Sequence, residues 1–106
     1  MMNVTATATG GTYSYGVYNT SSSPSMMNVT ATATGGTDSY GVGNYSSSSP
    51  SVRSSSITGD YSIYNSVTSS AQVADTMLDG TVTAGGGLTC VGAYDETFAA
   101  FDSSCS

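Results

Sequence analysis

The chain reads as an all-β protein, a parallel β-solenoid of four to five coils of 21–26 residues with a C-terminal cap. Three observations predict it. Residues 1–23 and 26–48 differ at only three of 23 positions. Apolar and hydroxyl side chains alternate within each unit. The repeat then continues in shorter form to the C-terminal block. Self-similarity at such a period marks a stacked repeat, because one unit cannot bury its apolar face alone.

The first unit, 1–25, opens with Val4, Ala6 and Ala8 on one face and Thr5, Thr7 and Thr9 on the other. Side chains in an extended chain point to opposite faces in alternation, so this is a strand. Gly10-Gly11 marks a bend, and a second strand surrounds Tyr15-Gly16-Val17. Asn19 and a Ser-rich loop ending at Pro24-Ser25 close the unit. The second unit, 26–51, repeats this plan with Asp38 for Tyr13, Gly43 for Tyr18 and Tyr45 for Thr20.

The third unit, 52–72, is compressed. Ile57 takes the place of Ala31, and Tyr61-Ser62-Ile63-Tyr64-Asn65 that of Tyr40-Gly41-Val42-Gly43-Asn44. The fourth, 73–87, aligns Val73 with Val52, Leu78 with Ile57 and Gly80 with Gly59. The unit anchors are Met1, Met26, Val52 and Val73. Stacking puts Asn19, Asn44 and Asn65 at one corner, where amides can form a ladder. Residues 88–106 form a last partial coil and a cap containing Leu88, Tyr94, Phe98 and Phe101. A β-sandwich needs no near-identical 25-residue units, and the Gly period of collagen is absent.

Composition narrows function. The 106 residues include 21 Ser, 16 Thr and 13 Gly, but one cation and seven carboxylates. A net charge of −6 gives no electrostatic footprint for nucleic acid. No apolar run approaches the roughly 20 residues of a membrane helix. Without His there is no Ser-His-Asp or Cys-His nucleophile and no His-bound metal. No motif calls for a cofactor. Eight Tyr and sixteen Thr argue for strands and against a disordered linker.

Cys90 and Cys105 either form a bridge around a short loop or are two unrelated thiols. A bridge, low charge and many hydroxyls together fit an extracellular or cell-surface protein. Residues 1–25 have neither a basic nor an apolar signal region. An export signal therefore belongs to a longer parent chain, or export does not use one.

The unit VTxxxxGG…YGVYN…SSSP, followed by VADTMLDG and GGGLTCVGAYDETFAAF, resembles the C-terminal repeats of bacterial parallel β-helix proteins of the pectate-lyase-like class. The resemblance covers nearly the whole chain, and its most distinctive part is the LDG…LTCVGAYD block. It implies a right-handed coil. It transfers no catalytic residue, since that class holds lyases, hydrolases, adhesins and receptor-binding spikes.

Candidate sites follow. Exposed Tyr13, Tyr18, Tyr45 and Tyr64 offer faces to a surface glycan, or else stack on one another. Rows Thr5, Thr7, Thr9 and Thr30, Thr32, Thr34 would form a flat array like those of ice-binding solenoids, or simply express the β-propensity of Thr. A hydrolase needs paired carboxyls about 5–10 Å apart. Asp75 and Asp79, four residues apart in extended chain, lie about 13 Å apart. Asp60 and Asp79 fall near equivalent bends and are the better pair, although Asp in turns is ordinary and oxygen-rich turns can also hold Ca²⁺ weakly. Lyases of the resembled class rely on a basic residue, and Arg53 is the sole cation. The first coil has an open edge, which predicts either that the chain is the C-terminal piece of a longer β-helix or that a partner chain covers the edge in a homo-oligomer or a filament. The expected role is a structural or adhesive module of a surface, fibre or spike protein, without catalysis. Carbohydrate binding is the alternative, ahead of hydrolysis and ice binding.

Overall fold

The structure is a computed structural model describing residues 2–105. Met1, the first expected anchor, and Ser106 lie outside the described residues. The described residues form ten strands: β1 (Thr5–Thr9), β2 (Tyr13–Thr20), β3 (Ser25–Met27), β4 (Thr30–Thr34), β5 (Asp38–Tyr45), β6 (Ser51–Arg53), β7 (Ser56–Asn65), β8 (Ala71–Ala74), β9 (Met77–Ala84) and β10 (Leu88–Val91). Among the described residues there is no helix, and hence none long and apolar enough to cross a membrane. Every pairing between these strands is parallel. The protein is a β-solenoid.

The register shows how the coils stack. Thr5 lies over Thr30, Thr30 over Ser56 and Ser56 over Met77, which makes three turns. This is fewer than the expected four to five. The difference lies after Met77, where the path shortens. β10 still stacks on β8, but beyond it the described residues keep a single isolated bridge, Met77 to Tyr94, with the coil above. A second sheet runs β3, β6, β8, β10 and carries the column Met26, Val52, Val73, Cys90.

Coils shorten by losing a corner loop. Thr32 to Tyr40 is eight residues and passes through Gly35-Gly36, whereas the stacked pair Thr58 and Tyr61 is three apart. β7 therefore runs through the corner without a break and pairs with both β4 and β5. β9 is tighter again. Between Thr58 and Ile63 it uses fewer residues than β7, and the register slips at Gly59-Asp60 and at Ser62. The positive φ of Gly80, 128°, lies at this slip, where two residues face one as in a β-bulge.

Inward side chains form columns: Ala6, Ala31, Ile57, Leu78 and Val17, Val42, Ile63, Val82. Ile57, Ile63 and Leu78 are fully buried, each contributing about 1.5–3 kcal/mol by the usual transfer values. The inner column is small in the first two coils, where the backbone comes close. A Cβ on Gly41 would lie 2.4 Å from Ile57 Cγ2.

Polar columns hold the corners. Asn19 Nδ2 donates to Asn44 Oδ1 at 2.9 Å, Asn44 Nδ2 to Asn65 Oδ1 at 2.7 Å, and Asn65 Nδ2 to the Gly87 carbonyl at 2.7 Å. The expected ladder is present and ends on the backbone. At another corner Asn3, Asn28, Ser54, Asp75 and Gly92 all adopt positive φ, between 47° and 68°. Asn, Asp and Gly tolerate this conformation. Among the described residues no buried side-chain nitrogen or oxygen lacks a hydrogen-bond partner.

Candidate functional site

Six tyrosines stand in two columns on one outer face. Tyr15, Tyr40 and Tyr61 stack with centroids 4.8 and 5.0 Å apart and planes within 15°. Tyr18, Tyr45 and Tyr64 stack at 5.1 and 5.4 Å with planes within 29°. Edge-to-face contacts join the columns, Tyr15 with Tyr18 at 5.0 Å and Tyr40 with Tyr64 at 5.6 Å. Parallel strands in register bring identical residues about 4.8 Å apart, and that is the separation of offset-stacked rings. The Tyr15 and Tyr45 hydroxyls are hydrogen-bonded at 3.1 Å. Burial raises the Tyr45 phenol pKa well above its ordinary value, and the Tyr15 hydroxyl and neighbouring phenols add to the shift. Tyr40 is raised too, by burial first and then by the Asp38 carboxylate.

This arrangement sorts the candidate glycan contacts. Tyr45 lies between Tyr18 and Tyr64, so both its faces are occupied. Tyr64 has one face against Tyr45. Tyr18 and Tyr13 are the open rings, 53% and 60% exposed. Residue-by-residue reading singled out exposed tyrosines and passed over Tyr15, Tyr40 and Tyr61. The signal for them was present, because all three occupy one position of the aligned units.

The threonine rows face outward in register: Thr5 over Thr30, Thr7 over Thr32 and Thr9 over Thr34. All are exposed except Thr32, which is half-buried. β7 continues the rows with Ser56 and Thr58, and β9 replaces them with Met77 and Asp79. The regular hydroxyl lattice therefore spans two full rungs and part of a third.

Asp60 and Asp79 line one open depression, together with Asp95 and Glu96. Among the described residues no group of three or more carboxylate, Cys or His side chains is arranged to hold a metal. Asp95 is engaged in its own turn, accepting from the Thr97 hydroxyl at 2.6 Å and from the Thr97 and Ala99 N–H groups at 2.8 and 3.0 Å. Those bonds hold its carboxyl below the usual range. Arg53 is exposed on the opposite sheet, beside a shallow groove with Val91 and Ala74.

Cys90 and Cys105 form a disulfide, and both residues are buried. The bridge ties the cap to the last rung. Within the cap, Cys90 N–H donates to the Ser103 carbonyl at 3.0 Å and Phe101 N–H to that of Ala93 at 3.0 Å. Tyr94 stacks on Phe98 at 5.5 Å. The sequence has four Asn-X-Ser/Thr triplets, at Asn3, Asn19, Asn28 and Asn44; Asn19 and Asn44 are buried in the ladder, while Asn3 and Asn28 are exposed.

No protein-family model matches the chain, and no curated protein or solved structure matches it.

Proposed function

We propose that the chain is a structural or adhesive module of an extracellular surface, fibre or spike protein, built on the β-helix plan of the pectate-lyase-like class and without catalysis. The observation that carries this reading is the continuity of its ladders. Tyrosine, asparagine and threonine columns pass from coil to coil with few interruptions. Such columns tie each coil to the next and present a repeated hydroxyl surface, which suits a scaffold. The disulfide supports an oxidising compartment. A screen of purified protein against polysaccharides tests the reading. The expected result is no turnover. Hydrolysis abolished by Asp60→Asn or Asp79→Asn would overturn it.

A second reading, carbohydrate binding, is favoured by Tyr13 and Tyr18, whose rings remain open at one end of the tyrosine face. A glycan array that shows signal lost in both Tyr13→Ala and Tyr18→Ala supports it, and a blank array sinks it.

A further inference from the structure

Within each tyrosine column the rings run side by side, on strands about 4.8 Å apart. Tyr15 and Tyr45 are placed differently. They leave the backbone at different register positions, Tyr15 over Tyr40 and Tyr45 under Thr20. Their ring centres are 6.1 Å apart with planes at 80°, yet their hydroxyls are 3.1 Å apart. The two side chains therefore converge at their phenol ends. Among the described residues this is the one pair of tyrosine hydroxyls in hydrogen-bond contact. A Cβ on Gly43 would lie 2.9 Å from Tyr15 Cε1 and 3.0 Å from Tyr45 Cε2. Those are ring carbons ortho to the two hydroxyls, so both border one empty point over Gly43. The pair and its gap exist because Gly43 and Tyr45 stand where the first unit has Tyr18 and Thr20.

Neighbouring ortho carbons suit one kind of chemistry. A phenol that loses an electron and its hydroxyl proton becomes a radical with spin on its ortho carbons. Two such radicals bond ortho carbon to ortho carbon. The ortho hydrogens then move to the oxygens and restore both phenols. The product carries its hydroxyls side by side across a twisted bond, which is the arrangement Tyr15 and Tyr45 already have. Holding two reactants in place turns an encounter into a step within one molecule. The stacks provide that hold, because Tyr15 rests on Tyr40 and Tyr45 lies between Tyr18 and Tyr64.

We propose that Tyr15 and Tyr45 are an oxidative modification site, joined by a dityrosine bond when a haem peroxidase with hydrogen peroxide acts on the tyrosine face. For each bond the two phenols give up two electrons and two protons, and one peroxide becomes two waters. Both rings are half-buried, but neither has to meet the oxidant directly. Ring contacts of 4.8–5.6 Å connect all six tyrosines. An electron taken from one ring is replaced from its neighbour, and the bond forms where two ortho carbons meet. The bond would tie the first unit to the second across 30 residues. It goes beyond the structural role proposed above and does not depend on it.

The test treats the intact, disulfide-bonded chain, dilute and folded, with a haem peroxidase and equimolar hydrogen peroxide. Single-chain material is recovered from a denaturing gel, and any methionine sulfoxide is reduced. Cyanogen bromide then cuts after Met26 and Met27, between the two tyrosines. The treated chain is expected to keep these fragments joined, with blue dityrosine fluorescence and a mass lower by two hydrogens. Tyr15→Phe and Tyr45→Phe preserve a ring in each stack. Each is expected to lower the yield of joined fragments at least about tenfold, because coupling rests on one oriented pair. Tyr40→Phe is expected to leave the yield unchanged. Circular dichroism checks the fold of each variant, and if one of the pair unfolds the other decides. Separated fragments, dityrosine only between chains, a joined pair that persists in Tyr15→Phe or Tyr45→Phe, or an equal loss in Tyr40→Phe overturns the proposal.

Discussion

The Tyr18 ring stacks on the Tyr45 ring at 5.1 Å, although in backbone register Tyr18 lies over Gly43. Two of the three differences between the first two units are thus one coordinated exchange. Glycine at 43 removes a ring from the column, and tyrosine at 45 swings another into its place. The column then continues onto Tyr64 at 5.4 Å. A Cβ at position 43 would lie 2.9 Å from the Tyr15 ring and 3.0 Å from that of Tyr45.

Gly43→Ala is therefore expected to destabilise by about 1–3 kcal/mol, the range for overpacking a closed site. Gly43→Tyr alone should be worse. The double change Gly43→Tyr with Tyr45→Thr recreates the first unit and should recover most of the loss. A double-mutant cycle by urea unfolding reads the coupling, expected at about 1–3 kcal/mol. Additive effects would show that the two positions are independent.

Asn44 is fully buried and both accepts and donates in the ladder. Asn44→Leu removes both bonds and strands the Asn19 amide and the Asn65 carbonyl. Each orphaned buried group costs about 1–3 kcal/mol, so the variant should lose about 2–6 kcal/mol. Asn19→Ala, at the end of the same ladder, should lose less. Equal losses in chemical denaturation would argue against a ladder acting as a unit.

The Cys90–Cys105 bridge closes a loop with a sequence separation of 15. Chain-entropy arguments put such a crosslink at about 3 kcal/mol. Paired Cys90→Ser and Cys105→Ser changes should lower Tm by on the order of 10–20 °C for a chain of this size. Hydrogen exchange should localise the loosening to residues 88–105 before the earlier coils. Uniform loss of protection would mean that the cap and coils unfold together.

Alkali should open the tyrosine face. Both Tyr40 and Tyr45 have folded-state values raised above the ordinary phenol value of about 10. The neutral phenols therefore stabilise the fold fully below about pH 10, and that contribution is lost as pH rises through their folded-state values. Absorbance near 295 nm and circular dichroism should change together, and Tyr45→Phe should move the transition to higher pH. Acid acts at the other end. The Asp95 carboxyl is held below 3.8, so its contribution is present above that value and fades as pH falls through the folded one. NMR signals of Tyr94 and Phe98 should shift before those of the coils. A cap that is indifferent at pH 2 would contradict the role assigned to Asp95.

The coil register was legible in the sequence because equivalent apolar positions of successive units stack on one another. Met26, Val52 and Val73 are partners, as are Ala31 and Ile57, and Val42 and Ile63. The paired slip of β7 against β9 was not legible, since Gly80 aligns with Gly59 by eye while the backbone pairs Tyr61 with Thr81. A bulge leaves little mark in composition. The turn count was overestimated for the same reason, because LTCVGAY looks like a coil until the cap folds across it. The tyrosine columns were half legible. Stacking among Tyr18, Tyr45 and Tyr64 was one of the readings open from the sequence, whereas the column of Tyr15, Tyr40 and Tyr61 rests on alignment with neighbours 21–25 residues away.

The first two units differ at only three positions, and this has a consequence for how the chain finds its fold. To the third coil, either unit is nearly the same partner. Tyr18, like Gly43, would fall on Tyr64 if the first unit took the second's seat. Local preference does not distinguish that coil-skipped arrangement from the native one. What separates the two basins is the rung of burial lost when a unit is looped out. The landscape is thus funnelled by number more than by identity, and refolding should pass through a slow phase in which a misplaced first unit is exchanged for the correct one.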